Sequence, residues 1–481
     1  MKYSILYKTE EREQSSSLIY DLSVDRCIAN LSSDIRKNEY FCRILSSPMT
    51  RTENILYRRE ILSDLSNNKA LFSELKTLFA RYDKLKADWL ELKGSGERVS
   101  ADRGSEAMLD YVYSSLKVTA LFPKTILSFF SSIVEAFEGY EISSEGLTRL
   151  CGYARSLLEN KSLRQIEDIA SHFMYNTPED YDFELACRKG DALNCVSAEI
   201  CSVTEREKKK NPLLSILSKK KKQEGIAETT SEDARAAALE ILGEAMYQTD
   251  RLLSDITDSI YDSFYGISRE LDFYEVAVKY LDFLKDSGKP WCYPELTANG
   301  IKTSELYDLF LLTEGKCEVY PNDADFTGYK GVLIRGKNNT GKTTFLRSVA
   351  IAQLFCQAGL PVAAKDASLP VFSGIYTHFS GAEEEFTVGD VSGRFEGEVK
   401  AVAEIMDKVT EGSLVIFNET FQTTAYDEGS VAIEGILRAI NKLGCRYIFV
   451  THLTQLFSML GDDTAKLESS NGATPFTIKK L

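Results

Sequence analysis

The sequence predicts an α/β domain built on a parallel-rich sheet, preceded by a mainly α-helical arm. Three observations carry that expectation. After Lys289, short β-branched runs alternate with helix-length segments, the pattern of a parallel sheet with crossover helices. Between Gly331 and Thr344 an apolar run enters a glycine loop and a helical pattern leaves it. From Glu232 to Gly288 apolar residues recur at steps of three and four with no proline, which is a helical seam.

Composition narrows the class. The 481 residues are 43% hydrophobic and 27% charged, as in soluble globular proteins, and the length suggests about three domains. No run approaches the ~20 apolar residues of a membrane span, and the N-terminus turns charged too soon for a signal peptide. The ten cysteines contain no C-x-x-C pair and read as reduced thiols of a cytoplasmic protein without a membrane partner. Three histidines (His172, His378, His452) argue against a histidine-rich metal site. The net charge of −15 argues against a generally basic nucleic-acid coat.

In chain order, residues 1–45 are mixed, with an amphipathic segment at Ser16–Leu31. Asn54–Leu85 reads as one helix, Gly94–Gly104 as a break. Helical patterns resume at Glu106–Tyr140, where Pro123 interrupts, and at Ser143–Phe173. Residues 174–231 are less regular. They hold the acidic run P-E-D-Y-D-F-E and the basic stretch Arg206–Lys222. Its lysines, Lys208, Lys209, Lys210, Lys219, Lys220, Lys221 and Lys222, form either a solvated loop or a tip that touches phosphates. The following seam passes through Leu242, Ala245, Thr249, Leu252, Ile256, Ile260, Phe264, Ile267, Leu271, Tyr274, Val278 and Leu281. It is one long helix, or two that break near Gly266, and residues 143–173 are its expected antiparallel partner. Two prolines in Lys289–Asn299 mark a boundary. Beyond it strands are expected at Gly331–Ile334, Gly374–Phe379, Ser413–Phe417 and Arg446–Val450. The division is then 1–142, a helical core region; 143–288, the arm; and 289–481, the α/β domain.

The glycine loop reads Gly336-Lys337-Asn338-Asn339-Thr340-Gly341-Lys342-Thr343-Thr344, a full Walker A spacing. Glycines let backbone N–H groups approach phosphates, and the helix start adds its positive end. Lys342 supplies a cation for the β/γ-phosphates of ATP, and the Thr343 hydroxyl a ligand for Mg²⁺. Strand Ser413–Phe417 runs into Asn418-Glu419. Asn418 stands where a metal-side acid is usual and brings an amide oxygen without charge. Glu419 stands beside the metal where a base polarises water. Strand Arg446–Val450 ends in Thr451-His452, and His452 is expected to sense the γ-phosphate. The loop Val388–Val399 opens a helix over 399–409. Ser392 and Gly393 in it could cap an anion, though short Gly/Ser loops are common.

The segment from about Leu306 to Leu460 resembles the ATPase domain of the MutS family of DNA mismatch-repair proteins, a branch of the ABC-type P-loop ATPases. The family's G-P-N-M-G-G-K-S-T corresponds to Gly336–Thr344. S-x-F-x-x-E is echoed by Gly393-Arg394-Phe395-Glu396-Gly397-Glu398. D-E-x-x-x-G-T-S-x-x-(D/E)-G becomes Asn418–Gly429, and T-H is Thr451-His452. The resemblance implies a homodimer whose composite sites join Gly336–Thr344, Asn418 and Glu419 of one subunit to the Ser392–Phe395 loop of the other. ATP would open and close a helical clamp on duplex or branched DNA, in mismatch repair or related DNA maintenance or recombination, with downstream repair proteins as further partners. Departures are equally specific. Asn418 replaces the Walker B Asp, Gly393 aligns with the signature Ser, and Thr423 replaces a D-loop Gly. Helical patterns from residue 54 leave no room for a mismatch-reading domain, and no appended nuclease is expected. Two other readings stand beside this one: a nucleotide-gated scaffold with weak hydrolysis, and an ATPase directed at RNA or the ribosome.

Overall fold

The computed structural model describes the chain except residues 1–2, 12–17, 97–113, 117–118, 162, 166–167, 169–180, 190–194, 206–231, 381–390, 422–425 and 473. Helices α1 (Leu18–Asp21), α2 (Val24–Leu31), α3 (Ile35–Leu45), α4 (Thr52–Asn67) and α5 (Lys69–Gly96) come first, then α6 (Leu121–Ala136) and α7 (Glu145–Leu158). Strands β1 (Tyr181–Lys189) and β2 (Cys195–Glu205) pair antiparallel and precede the long helices α8 (Glu232–Ser263) and α9 (Ile267–Asp286). The remainder alternates: β3 (Glu295–Leu296), β4 (Lys302–Leu306), α10 (Leu309–Glu314), β5 (Asn322–Asp325), β6 (Gly331–Gly336), α11 (Lys342–Gln357), β7 (Asp366–Leu369) and β8 (Ile375–Phe379). Then come α12 (Val391–Met406), β9 (Leu414–Asn418), α13 (Tyr426–Lys442), β10 (Arg446–Val450), α14 (Leu456–Met459), β11 (Thr464–Ser470) and β12 (Thr477–Lys480).

Two compact units interleave along the chain rather than following the divisions 1–142, 143–288 and 289–481. One holds Met1–Tyr3, Ser73–Tyr140 and Arg149–Tyr265; the other holds Ser4–Phe72, Glu141–Thr148 and Gly266–Leu481.

The first unit is helical around aromatic rings. Phe129 of α6 packs edge-on against Phe79 with centroids 5.6 Å apart and lies 4.6 Å from the Tyr82 ring, and Phe122 meets Trp89 at 4.6 Å. Polar clips then fix α8 in place. Tyr82 Oη donates to the Ile260 carbonyl at 2.9 Å, Trp89 Nε1 to Asp258 at 2.7 Å, and Thr119 Oγ1 to Asp250 at 2.7 Å. Among the described residues the seam thus meets α5 and the segment leading into α6. From the expected partner, residues 143–173, the structure draws α7, which adds Tyr153 against Phe264 at 5.2 Å. By length and composition Ser114–Ala136 could cross a membrane, but Phe122, Ile126, Phe129, Phe130 and Ile133 are buried in this core. The expected interruption of 106–140 at Pro123 falls just ahead of it: Ala120 is a turn and Pro123 lies in the first turn of α6, where N–H groups lack helical partners.

The seam differs from expectation in a second way. It is two helices, with Gly266 between them at φ 100°, a left-handed geometry that suits glycine. After Gly266 the predicted phase holds: Ile267, Leu271, Tyr274, Val278 and Leu281 are buried. Before it Phe264 is buried as predicted, but from Tyr261 back to Leu252 the phase is one residue off. Leu253, Thr257 and Tyr261 are buried, whereas Leu252 is 59% exposed. Asn54–Leu85 likewise divides at Asn68, whose N–H and side-chain amide both bond the Asp64 carbonyl and close α4. β1 and β2 lie where no regular structure was expected, and β2 runs alongside α8.

The second unit carries the α/β core. Six strands lie in the order β12-β11-β6-β10-β9-β8, parallel except for the β11–β12 hairpin. A second sheet has the order β3-β7-β4-β5. β6, β9 and β10 are buried almost throughout, as strands covered on both faces must be. Leu333, Val415, Phe417 and Phe449 form one cluster with Val402 and Ile405 of α12 and Ile433, Leu437 and Ile440 of α13. The early helices brace α11. Arg58 is 1% exposed, donates Nη1 to the Ala358 carbonyl at 3.2 Å and lies over the Tyr7 and Phe273 rings. Gln357 Nε2 reaches the carbonyls of Met49 (2.8 Å) and Phe372 (2.9 Å). Asp308 caps α10 and takes two hydrogen bonds from Arg347 at 2.8 and 3.0 Å, a bidentate pair that orients α11.

Candidate functional site

The site forms where β6, β9 and β10 end. β6 stops at Gly336, where φ is 155° and a Cβ would sit 2.6 Å from the Ser469 carbonyl. Only glycine lets the chain turn there. The loop then runs through Asn339 (φ 57°) to Gly341 (φ 87°), and α11 starts at Lys342. Lys342 is 4% exposed. Its Nζ donates to the Lys337 carbonyl at 2.9 Å, and Thr340 Oγ1 donates to the same oxygen at 2.7 Å. Burial pushes the Lys342 ammonium below the usual lysine range, while the Glu419 carboxylate pulls it back up. A desolvated cation at a helix N-terminus seats an anion.

β9 brings Asn418 beside α11. Thr343 Oγ1 donates to Asn418 Oδ1 at 3.2 Å. Among the described residues no group of three or more His, Cys, Asp or Glu could hold a metal. A hydroxyl and a neutral amide suit Mg²⁺ that arrives on phosphates and keeps several waters, rather than a dedicated protein cage. The donor set fits the ion in that form.

Glu419 has φ 56° and Phe421 φ 65°, so the chain turns sharply after β9. Glu419 N–H bonds the Val450 carbonyl at 2.9 Å, and Thr451 N–H bonds the Ile334 carbonyl at 3.0 Å. These bonds hold the three strand ends level. His452 Nε2 lies 3.0 Å from Glu419 Oε1. Lys342, Thr343, Asn418, Glu419 and His452 therefore lie in one cluster.

Ser392 and Gly393 lie in the first turn of α12, which begins at Val391 rather than Val399; the described cluster does not include them. Lys208–Lys210 and Lys219–Lys222 lie outside the described residues.

Several supporting residues had no role in the sequence reading. Glu398, quoted there only within a motif, is 6% exposed; it accepts the Ser380 hydroxyl at 2.6 Å and the Phe421 N–H at 2.8 Å. It pins the turn that carries Glu419. The β11–β12 hairpin closes over the glycine loop: Ser469 Oγ bonds the Thr340 carbonyl, and Asn471 Nδ2 the Asn339 carbonyl at 3.3 Å. Beside the loop opens a cavity of about 330 Å³ lined by Leu311, Val319, Tyr320, Gly341, Phe345 and Phe476. Tyr320 and Phe476 face each other with ring centroids 5.8 Å apart. The lone aromatic residues and the short hairpin strands carry no local motif, so no spacing could have found them.

This geometry has relatives. Residues 332–471 match the family model of MutS domain V. DNA mismatch repair protein MutS of Thermus aquaticus is 34% identical over 148 residues, which are 31% of this chain and 18% of that protein. The MutS of Thermotoga petrophila is 38% identical over 125 residues, 26% of this chain and 15% of that protein. The MutS of Streptococcus mutans is 31% identical over 169 residues, 33% and 20% respectively. Residues 332–471 are therefore similar to MutS domain V. The chain spans about a fifth or less of the length of these MutS relatives.

Proposed function

We propose that this chain is a MutS-like, ABC-type P-loop ATPase that binds DNA, and that the nucleotide held at a dimer interface sets the posture of its helical unit. One observation supports this most: the ends of three strands gather Lys342, Thr343, Asn418, Glu419 and His452 inside a segment similar to MutS domain V. In this reading Lys342 leaves the Lys337 carbonyl and takes the β/γ-phosphates of ATP. Backbone N–H groups between Asn338 and Thr344 cradle the remaining oxygens. The base enters the cavity at Tyr320 and Phe476. Thr343 and Asn418 would hold Mg²⁺, which when bound would supply charge neutralisation at the phosphates. Glu419 orients a water for in-line attack on the γ-phosphorus and accepts its proton. The bond to the ADP oxygen breaks, and the electron pair leaves with ADP. His452 holds the Glu419 carboxylate in line. A second copy contributes the Ser392–Phe395 turn. The lysines between 208 and 222 contact phosphates, so duplex or branched DNA is bound by shape with steep salt dependence. The protein works in the cytoplasm with downstream repair proteins.

The test is ATP turnover of the full chain with and without duplex DNA, branched DNA and RNA. DNA-stimulated turnover that falls at least about 100-fold in Glu419→Gln, with ATP binding retained, is expected. A chain that binds no ATP, or no DNA at low salt, overturns the proposal. RNA stimulation in place of DNA redirects it to an RNA target. Asn418 favours one second reading, a nucleotide-gated scaffold, because the family's charged Walker B position is neutral here. Tight ATP binding without turnover is its signature.

A further inference from the structure

Two departures from the family's pattern fall on the same phosphate seat, and both move its charge in the same direction. Lys337 stands where the family motif has Pro, and Asn418 stands where it has Asp. Together they make the seat two charges more positive. The structure puts the first change next to the second. The Lys337 carbonyl holds the Lys342 ammonium at 2.9 Å, so the Lys337 Cα lies within about 5 Å of that ammonium given standard backbone dimensions. The Lys337 side chain is exposed, and no described residue pairs with it. Its flexible four-carbon stem is long enough to bring a second ammonium to the same phosphates. Across the loop, Thr343 and Asn418 meet through neutral atoms at 3.2 Å. The sole carboxylate of the cluster, on Glu419, is engaged by His452 at 3.0 Å.

We infer that Lys337 is a second phosphate-binding cation that lets this site grip ATP without Mg²⁺. The two added positive charges equal the charge of the ion itself. A carboxylate at position 418 would add repulsion against a bare triphosphate, which the metal would offset. This seat offers two ammonium groups, and no carboxylate stands at position 418 to repel the γ-phosphate. Nucleotide binding is then uncoupled from the metal, and Mg²⁺ is needed for the chemistry alone. The inference rests on the nucleotide-binding reading above.

The experiment is equilibrium binding of a fluorescent ATP analogue to the full chain, in excess Mg²⁺ and in excess EDTA. The wild-type chain is expected to lose less than about tenfold in affinity on removal of the metal. Lys337→Met is expected to lose about 10- to 100-fold in EDTA and less than about tenfold in Mg²⁺, on the usual strength of a charge-assisted contact. Asn418→Asp is expected to bind tightly only with the metal. The Lys337 side chain is exposed, so the unfolding midpoint of nucleotide-free Lys337→Met should match wild type. Wild-type binding that collapses in EDTA, or Lys337→Met equal to wild type in EDTA, overturns the inference and leaves the nucleotide site standing. Absence of binding in both conditions overturns both.

Discussion

The sheet-bearing unit and the helical unit use polar side chains for opposite ends. In the helical unit they tie one helix to another around an aromatic core. Trp89 and Lys93 both go to Asp258, while Ser115 and Thr119 both go to Asp250. In the sheet-bearing unit they gather at the ends of β6, β9 and β10 and fix loops: Thr343 to Asn418, Glu398 to the Phe421 N–H, Ser469 to the Thr340 carbonyl. The first arrangement stiffens a body. The second holds charged groups at fixed positions and leaves the Lys337 side chain without a partner among the described residues. A site is recognisable by what its supporting bonds leave over.

The largest test of this contrast is Phe264→Ala. Phe264 is 1% exposed and packs against Phe79, Tyr82, Phe130 and Tyr153, and such a truncation costs about 3–5 kcal/mol. The chain has two tryptophans, Trp89 in the helical unit and Trp291 in the other. With Trp291→Phe as background, the Trp89-reported urea transition should move to lower denaturant. With Trp89→Phe as background, ATP binding should survive. Equal loss in both would mean that the units do not stand apart in this way.

A smaller effect is expected from Glu398→Gln. It keeps the shape but weakens a charge-assisted bond to the Phe421 N–H, worth about 1–3 kcal/mol. Turnover should fall about 10- to 100-fold with ATP affinity nearly unchanged, because the bond supports the turn of Glu419 and not the glycine loop. A matching loss of affinity would mean that Glu398 supports the whole site.

The smallest is a pH effect at His378, whose Nδ1 lies 2.9 Å from Thr420 Oγ1. Burial holds its pKa below the usual histidine value, opposed by the Glu398 and Asp21 carboxylates. The folded state therefore binds the proton less readily than the unfolded chain. The stabilisation is fully present above the unfolded value of about 6.5 and is lost as pH falls through the folded one. Unfolding midpoints at pH 7.5 and 5.5 should differ less in His378→Gln than in wild type; an unchanged difference would remove His378 as its source.

The legibility of the two units in the sequence differs for a physical reason. β10 is Arg446–Val450 as expected, and β6, β8 and β9 match within two residues, because buried parallel strands are short apolar runs set between loops. β1 carries a strand signal in the sequence as well: Tyr181, Phe183, Leu185 and Cys187 alternate with Asp182, Glu184 and Arg188, the period of a strand. The seam before Gly266 misled because a spacing of three and four fits two adjacent phases equally well. Burial chose Leu253 over Leu252.

By itself the sequence determined the strand–loop–helix around Lys342, its meeting with Asn418, Glu419 and His452, and the MutS likeness. These depend on local backbone geometry and on motifs whose residue types the chemistry constrains. Tertiary structure alone decided that Glu398 pins the turn of Glu419, that Phe476 and Ser469 close over the glycine loop, and that α5 and α6 cover α8. Those contacts join residues more than a hundred positions apart, or single side chains that no spacing marks. Only packing selects among the many partners such side chains could take.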